Sequence, residues 1–346
     1  MNRRTFLIPS RAEPRLEWQM ATSWSKDLDL VMNAINFFQQ RVAAITDGKF
    51  VIKMLEDSQK VPPFAVLDAV GNNTVSIGHT SMYYYVNRVP AFAFAATVPF
   101  GLTAYQQLSW YYQGGGLELL EPLFAAVKVV GIPCGSPGVQ MGGWFREELN
   151  RSSDFRGLKM RIPGLGGQVL SRLGAKVVLL SADQIYGALE RGEVDAAEWQ
   201  NPYDDEKLGL HRVAKFYYYP GWWEPGLSNY MIVNRQAWQN LSRTYQEILR
   251  ATAAEAGMKM LADYNSNNAA ALDRLVAGGT QIRAFSTEFL QSAYQGTIAV
   301  LEEQAQRDRE FRRIYGPWRK FRAQIYQWNR VNELSFEKFT FNDSRL

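Results

Sequence analysis

From Leu16 onward the spacing of apolar residues changes repeatedly, and each change marks an element. Leu16, Trp18 and Met20 alternate with polar neighbours, the period-two pattern of a strand with one buried face. Leu28, Val31, Ile35, Phe38, Val42 and Ile45 then recur at steps of three and four, which predicts a helix with a single apolar stripe. Thr46, Asp47 and Gly48 close that helix, and KFVIKML reads as the next strand. The same grammar returns between Leu158 and Trp199, where LKMRIPG, GGQVLSRLG, AKVVLL, ADQIYGALERG and VDAAEW read as strand, helix, strand, helix, strand. A second, parallel sheet is therefore expected. Beyond Arg235 the pattern is one of long, charged, amphipathic helices, with Pro317 their only proline and the expected place of a kink or break.

Composition narrows this picture. A chain of 346 residues, 47% of them hydrophobic, can fill one large domain or two lobes of about 150 residues each. The net charge of +4 is a slim excess spread along the chain rather than a basic tract, so no nucleic-acid partner is expected. One cysteine, Cys134, excludes an intramolecular disulfide, and two histidines, His79 and His211, exclude a histidine-rich metal site. Both histidines read as ordinary structural or surface residues. Arg3 and Arg4 with Thr5, Phe6 and Leu7 look like the front of a twin-arginine export signal whose apolar stretch is interrupted by Arg11, Glu13 and Arg15, so residues 1–15 read as a signal remnant or a chance basic start. No run of about 18 apolar residues occurs that could span a membrane.

Parallel α/β lobes bind ligands beyond the carboxyl ends of their strands. VDAAEWQN ends such a strand, so Glu198, Trp199, Gln200 and Asn201 are expected at a cleft before Pro202 stops the strand. CGSPGVQMGGWF sets Gln140 among glycines that let backbone approach a ligand closely, and LKMRIPG places Arg161 at the end of an apolar strand. A guanidinium there needs a counter-charge: it is either an anion clamp or half of an internal salt bridge, and the residues alone leave both open. SMYYYVNRVPAFAF follows a strand of the first lobe and offers Tyr83 or Tyr84 as hydrogen-bond donors to the same cleft.

LKMRIPGLGGQVLSRLGA, ALERGEVDAAEW and YYYPGWWEPG together resemble the extracytoplasmic solute-binding proteins of TRAP transporters, in the branch that takes 2-oxo and 2-hydroxy monocarboxylates such as pyruvate, 2-oxobutyrate or lactate. The resemblance implies an α/β, two-lobed periplasmic-binding-protein fold with a central ligand cleft, hinge segments near Cys134–Gly138 and Pro220–Gly226, and long C-terminal helices. It divides the chain into lobe I (16–136 with 225–265), lobe II (137–224 with 266–316) and a C-terminal helical extension (317–346). It implies Arg161 as the carboxylate clamp, with Gln140, Asn201, Trp199 and Tyr83 around the substrate. It also implies a cation held by Gln140, Glu198, the Trp199 carbonyl and Glu224, and an all-oxygen site of that kind suits Na⁺ or Ca²⁺. Two glutamates and a monocarboxylate against one guanidinium leave two negative charges, which one Ca²⁺ neutralises and one Na⁺ halves.

The resemblance further implies a periplasmic location, closure of the lobes on the ligand and delivery to a TRAP membrane permease. Phe321, Ile325, Trp328 and Val331 form an apolar stripe in the tail that must pack on something. The resemblance implies a C-terminal helix exchanged between two subunits, so a homodimer is expected, with packing onto the chain's own lobes as the alternative. A competing reading makes Glu198 and Glu224 the acid and base of a carbohydrate hydrolase with tryptophan platforms.

Overall fold

The opening alternation folds as a strand, β1 (Leu16–Thr22), which buries Trp18 and Met20 and leaves Glu17 and Gln19 exposed. The structure, a computed structural model, describes residues 15–55, 60–149 and 151–341. The expected signal remnant lies, apart from Arg15, outside the described residues. β1 runs parallel to β2 (Phe50–Met54) and β3 (Ile77–Ser81), and helix α1 (Asp29–Ile45) connects the first two, burying Val31, Ile35, Phe38 and Val42. β4 (Val129–Pro133) and β10 (Asn229–Asn234) complete this five-stranded sheet in the order β2-β1-β3-β10-β4.

The second sheet has six strands, β11-β9-β5-β8-β6-β7. They are β5 (Gly143–Phe145), β6 (Lys159–Arg161), β7 (Lys176–Val178), β8 (Ala196–Ala197), β9 (Phe216–Tyr219) and β11 (Gln281–Ala284). Helices α2 (Gly164–Arg172) and α3 (Ala182–Glu190) link β6 to β7 and β7 to β8. The sequence pattern predicts a parallel sheet, and this one is parallel only in part. β8, β6 and β7 are parallel, but β5 runs antiparallel to β8 and to β9, and in the first sheet β10 runs antiparallel to both its neighbours. The reversed strands are the ones that enter a sheet directly from the other lobe, without a crossover helix to turn them round.

The chain passes between the sheets through residues 134–142 and 220–228. A third link is α5 (Arg243–Ala277), a helix of 35 residues that packs on α1 in one lobe and on α4 (Pro202–Lys207) in the other. At about 1.5 Å per residue it is long enough to brace both. The first crossing segment lies tight against it: a Cβ on Gly135, whose φ is +125°, would sit 2.4 Å from the Met260 sulfur. After β11, α6 (Thr287–Arg307), α7 (Arg309–Val331) and α8 (Glu333–Thr340) close the chain. Pro317 neither breaks nor ends α7. It sits exposed on the outer face, beside Gly316, where water can take the carbonyl it leaves unpaired, while Phe311, Ile314, Tyr315 and Trp318 bury the opposite face on both sides of it. The expected boundary between residues 316 and 317 thus falls within a continuous helix. Among the described residues, no helix is long and apolar enough to cross a membrane.

His79 is a structural residue that ties β3 to the first crossing segment. The Trp24 indole donates to its Nδ1 at 2.7 Å, so its Nε2 carries the proton and donates to the Cys134 carbonyl at 2.9 Å. Complete burial lowers its pKa from 6.5 to about 4, with the Cys134 hydrogen bond pulling the other way. Because the unfolded chain binds the proton more readily, stability from this residue is intact above pH 6.5 and is lost as pH falls towards 4. Gln can make both hydrogen bonds without titrating. Urea midpoints of wild type and His79→Gln measured from pH 7 to 4 should therefore converge, by about 3 kcal/mol in all. Curves that stay parallel would show that His79 does not govern the acid limb.

Candidate functional site

β6 and β8 are neighbours in parallel register, Arg161 opposite Ala197, so Arg161 and Glu198 leave the sheet side by side. Both are 1% exposed and lie 2.8 Å apart as an ion pair, Nη1 to Oε2. Nη1 also donates to the Glu198 carbonyl at 2.6 Å, and Nε donates to the Leu180 carbonyl at 3.0 Å. The Trp199 ring lies beneath the guanidinium, 5.0 Å away. The internal salt bridge is therefore real, yet it does not exhaust the arginine: among the described residues Nη2 is buried without a partner, and so is Glu198 Oε1.

Gln140 and Glu224 reach the same place from the two crossing segments. Their backbones are zipped together, Gln140 N–H to the Glu224 carbonyl at 3.2 Å and Gly221 N–H to the Gln140 carbonyl at 3.0 Å. Position 221 admits only glycine, because a Cβ there would lie 2.2 Å from the Gln140 oxygen. The Gln140 side chain is 2% exposed and neither of its amide atoms completes a hydrogen bond within the described residues. Burial raises the Glu224 pKa to about 8, although Arg161 and, more weakly, the nearby Gln140 amide pull it back. Burial, then the neighbouring Glu224, push Glu198 upward too, against the pull of Arg161. Two buried acids face a single buried base, and the direct ion pair assigns that base to Glu198.

The first lobe contributes the turn after β3, Met82–Tyr85. Tyr83 and Tyr84 meet edge to face at 4.4 Å, and both sense the charges of Arg161, Glu198 and Glu224. Burial pushes the Tyr84 phenol up to about 12, so it stays a neutral hydrogen-bond donor. Tyr83 packs against the start of α2, the Gly164 Cβ position lying 3.4 Å from its own Cβ, which brings the lobes into contact over the site. Asn201 is buried as expected, but its amide nitrogen donates to the Pro137 carbonyl at 2.7 Å, bracing the first crossing segment.

Sequence reasoning misses Asp205. It is buried in the first turn of α4 and accepts from the Gln200 N–H at 3.1 Å, the Trp144 indole at 2.9 Å and the Tyr217 hydroxyl at 2.7 Å, fixing the strand end that carries Glu198 and Trp199. An acid just inside a helix reads as a solvated dipole partner, so only the aromatic residues around it could have raised suspicion. An open groove of about 830 Å³ runs along the free edge of β4 and contains none of the candidate residues. One of about 620 Å³ lies where Thr22–Asp27 faces Ser181–Asp183 across the lobes.

Among the described residues there is no group of three histidine, cysteine or acidic side chains able to hold a metal. Glu198 Oε1, the Glu224 carboxyl and the Gln140 amide oxygen are instead a mixed oxygen set, the chemistry that a hard cation prefers and that does not suit zinc or copper. One positive prong beside such a set, enclosed where two lobes meet, is the arrangement of a solute-binding protein. Residues 20–308 match the family described as bacterial extracellular solute-binding protein, family 7, and the chain belongs to that family. It is a family of transport proteins, not enzymes, so the hydrolase reading of the two glutamates falls away.

The monocarboxylate 2-oxoacid-binding periplasmic protein of Nostoc sp. is 51% identical over 326 residues, 94% of this chain and 89% of that protein. A TRAP transporter solute-binding protein from Bordetella bronchiseptica, solved as a mixed-occupancy dimer with calcium and picolinate in one active site, superposes with a TM-score of 0.93 at 40% identity, covering 95% of this chain and 98% of that one. Another from Pseudoalteromonas atlantica, with sodium and pyruvate bound, gives 0.90 at 31% identity, covering 94% and 99%.

The unequal surroundings of the two acids predict unequal mutants. With a chelator and no sodium, Glu198→Gln leaves the buried guanidinium without its counter-charge and should destabilise the protein by about 3 kcal/mol or more. Glu224→Gln replaces an acid that has no ion-pair partner among the described residues, and should change stability by less than about 1 kcal/mol. Equal losses in denaturant titrations would contradict the assignment of Arg161 to Glu198.

Proposed function

We propose that this chain is the periplasmic solute-binding protein of a TRAP-type transporter, capturing a small 2-oxo monocarboxylate such as pyruvate together with Na⁺ or Ca²⁺ and delivering it to the membrane permease. The observation that carries this reading is the set of unpartnered buried atoms: Arg161 Nη2, Glu198 Oε1 and both amide atoms of Gln140. A 2-oxo acid suits them chemically. One carboxylate oxygen can accept from Nη2, while the other, with the neighbouring keto oxygen, can chelate a cation seated on Glu198, Glu224, Gln140 and the Trp199 carbonyl. The cation would supply the positive charge that two glutamates and a substrate carboxylate lack.

The chain's own groups then divide the work. Arg161 orients the carboxylate by one prong rather than by a bidentate fork, since Nε and Nη1 are already committed. Tyr83 and Tyr84 donate from the opposite lobe without adding charge. Trp199, Trp222 and Trp223, all buried, exclude water and strengthen the ionic contacts. Lobe I and lobe II would close by flexing the crossing segments 134–142 and 220–228 against α5.

Calorimetric titration with pyruvate should show binding that needs added Na⁺ or Ca²⁺ and disappears in sodium-free EDTA, with a smaller radius of gyration by X-ray scattering when bound. Arg161→Lys, which cannot hold Glu198 and the substrate together, should weaken binding by about 2 to 4 kcal/mol. Unchanged pyruvate affinity in that variant, or full affinity without cation, would contradict the reading.

We also infer that the chain forms a homodimer through its tail. Trp328, Val331, Phe336, Phe339 and Phe341 stand exposed along the end of α7 and α8, the last three at 67 to 80%, more apolar surface than a monomer usually leaves in water. The dimer found for the Bordetella relative supports this. Sedimentation should give a dimer mass for wild type and a monomer mass for Phe336→Glu/Phe339→Glu; a monomeric wild type would overturn it.

A further inference from the structure

We propose that Arg322 and Tyr326 of α7 are positioning residues for the cation site, acting through Phe100. This rests on the function proposed above and adds a control element outside both sheets. Arg322 donates from Nε and Nη2 to the Phe100 carbonyl at 2.9 and 2.7 Å. The Tyr326 hydroxyl shares its one proton between the nearer Gly101 carbonyl and the same Phe100 carbonyl, 3.1 Å away. The guanidinium also lies 4.1 Å over the Tyr326 ring, so the two side chains hold each other in place. Such a concentration of donors on one carbonyl matches the backbone they hold: Phe100 has φ of +51°, a conformation that side-chain-bearing residues adopt only where surrounding contacts impose it.

What Phe100 gains by that conformation is contact with the site. Its N–H donates to the Trp222 carbonyl at 2.7 Å, and its ring stacks on the Trp222 indole at 5.2 Å and 23°. Trp222 belongs to the turn that is zipped to Gln140 at Gly221 and at Glu224. A continuous path of hydrogen bonds and stacked rings therefore runs from α7 through Phe100 and Trp222 to Gln140 and Glu224, two of the four groups placed around the cation. Among the described residues Glu224 has no ion-pair partner to fix it, whereas Glu198 is held by Arg161. The backbone of its turn is what sets its position, and α7 sets that turn.

A helix that merely holds the fold together would cost stability when loosened and leave the intact site unchanged. Arg319 provides the comparison: it lies on the same helix, pairs with Glu302 at 3.2 Å and, among the described residues, makes no hydrogen bond to Phe100. The full-length chain is titrated calorimetrically with calcium alone, then with pyruvate at fixed calcium. Arg322→Ala/Tyr326→Phe should bind calcium at least tenfold more weakly, Arg322→Lys should lie between it and wild type, and Arg319→Ala should match wild type within twofold. In the calcium-free proteins, amide exchange across residues 220–226 should speed up at least tenfold in the double variant and not in Arg319→Ala. Should the double variant fail to fold, Arg322→Lys and Tyr326→Phe singly must each show the same trends. Wild-type calcium affinity and wild-type exchange in these variants, or equal losses in Arg319→Ala, overturn the relay while leaving the proposed function standing. A wild type that shows no calcium-dependent pyruvate binding overturns both.

Discussion

A guanidinium buried to 1% exposure is the constraint around which the cleft is arranged. Placing Arg161 at the end of β6 obliges the protein to bring a counter-charge, and the parallel register with β8 supplies Glu198 at the adjacent strand end. That pair alone would be a closed structural unit. It remains open because Leu180 and the Glu198 carbonyl take the other donors at fixed angles and leave Nη2 and Oε1 directed elsewhere. A buried ion pair is weak evidence for stability, since desolvation offsets most of its attraction. One with an unused prong at each end is better explained by a third, charged participant.

The second acid follows a different logic. Glu224 is carried by a turn that belongs to neither sheet and is registered to Gln140 by backbone hydrogen bonds. Both crossing segments thus converge on the site, so in the proposed reading the groups that would meet the ligand sit on the pieces of chain that would flex as the lobes close. On the proposed function, ligand capture and closure would be linked directly: a cation and a carboxylate bridging Gln140 and Glu224 to Arg161 and Glu198 would also tie the crossing segments to the second sheet, and Tyr83 and Tyr84 would extend the contact to the first.

Much of this was legible in the sequence where local physics decides. Period-two and period-three-to-four patterns locate β1, α1 and the β6-to-β8 run, and strand-end reasoning brings Arg161 and Glu198 to one place, though it leaves open whether they pair. The pairing of Gln140 with Glu224 is different. It depends on a zipper between distant loops, no periodicity encodes it, and only the resemblance to a known family pointed there. The antiparallel entry of β5 and β10 was hidden because short strands following a crossing segment carry no sign of their direction. Pro317 misled because a local rule was applied to a helix whose buried face, from Phe311 to Trp318, overrides it. Asp205 was hidden by an innocuous position, an acid in the first turn of a helix, whose three donors come from elsewhere in the chain.

The most direct measurement is a crystal structure of the protein grown with calcium and pyruvate, with data collected for anomalous scattering. The account predicts one strong anomalous peak about 2.3 to 2.6 Å from oxygens of Gln140, Glu198, Trp199 and Glu224, with the pyruvate carboxylate within hydrogen-bond reach of Arg161 Nη2. Pyruvate ordered in the cleft with no cation beside it, or a cation bound away from both glutamates, would contradict it.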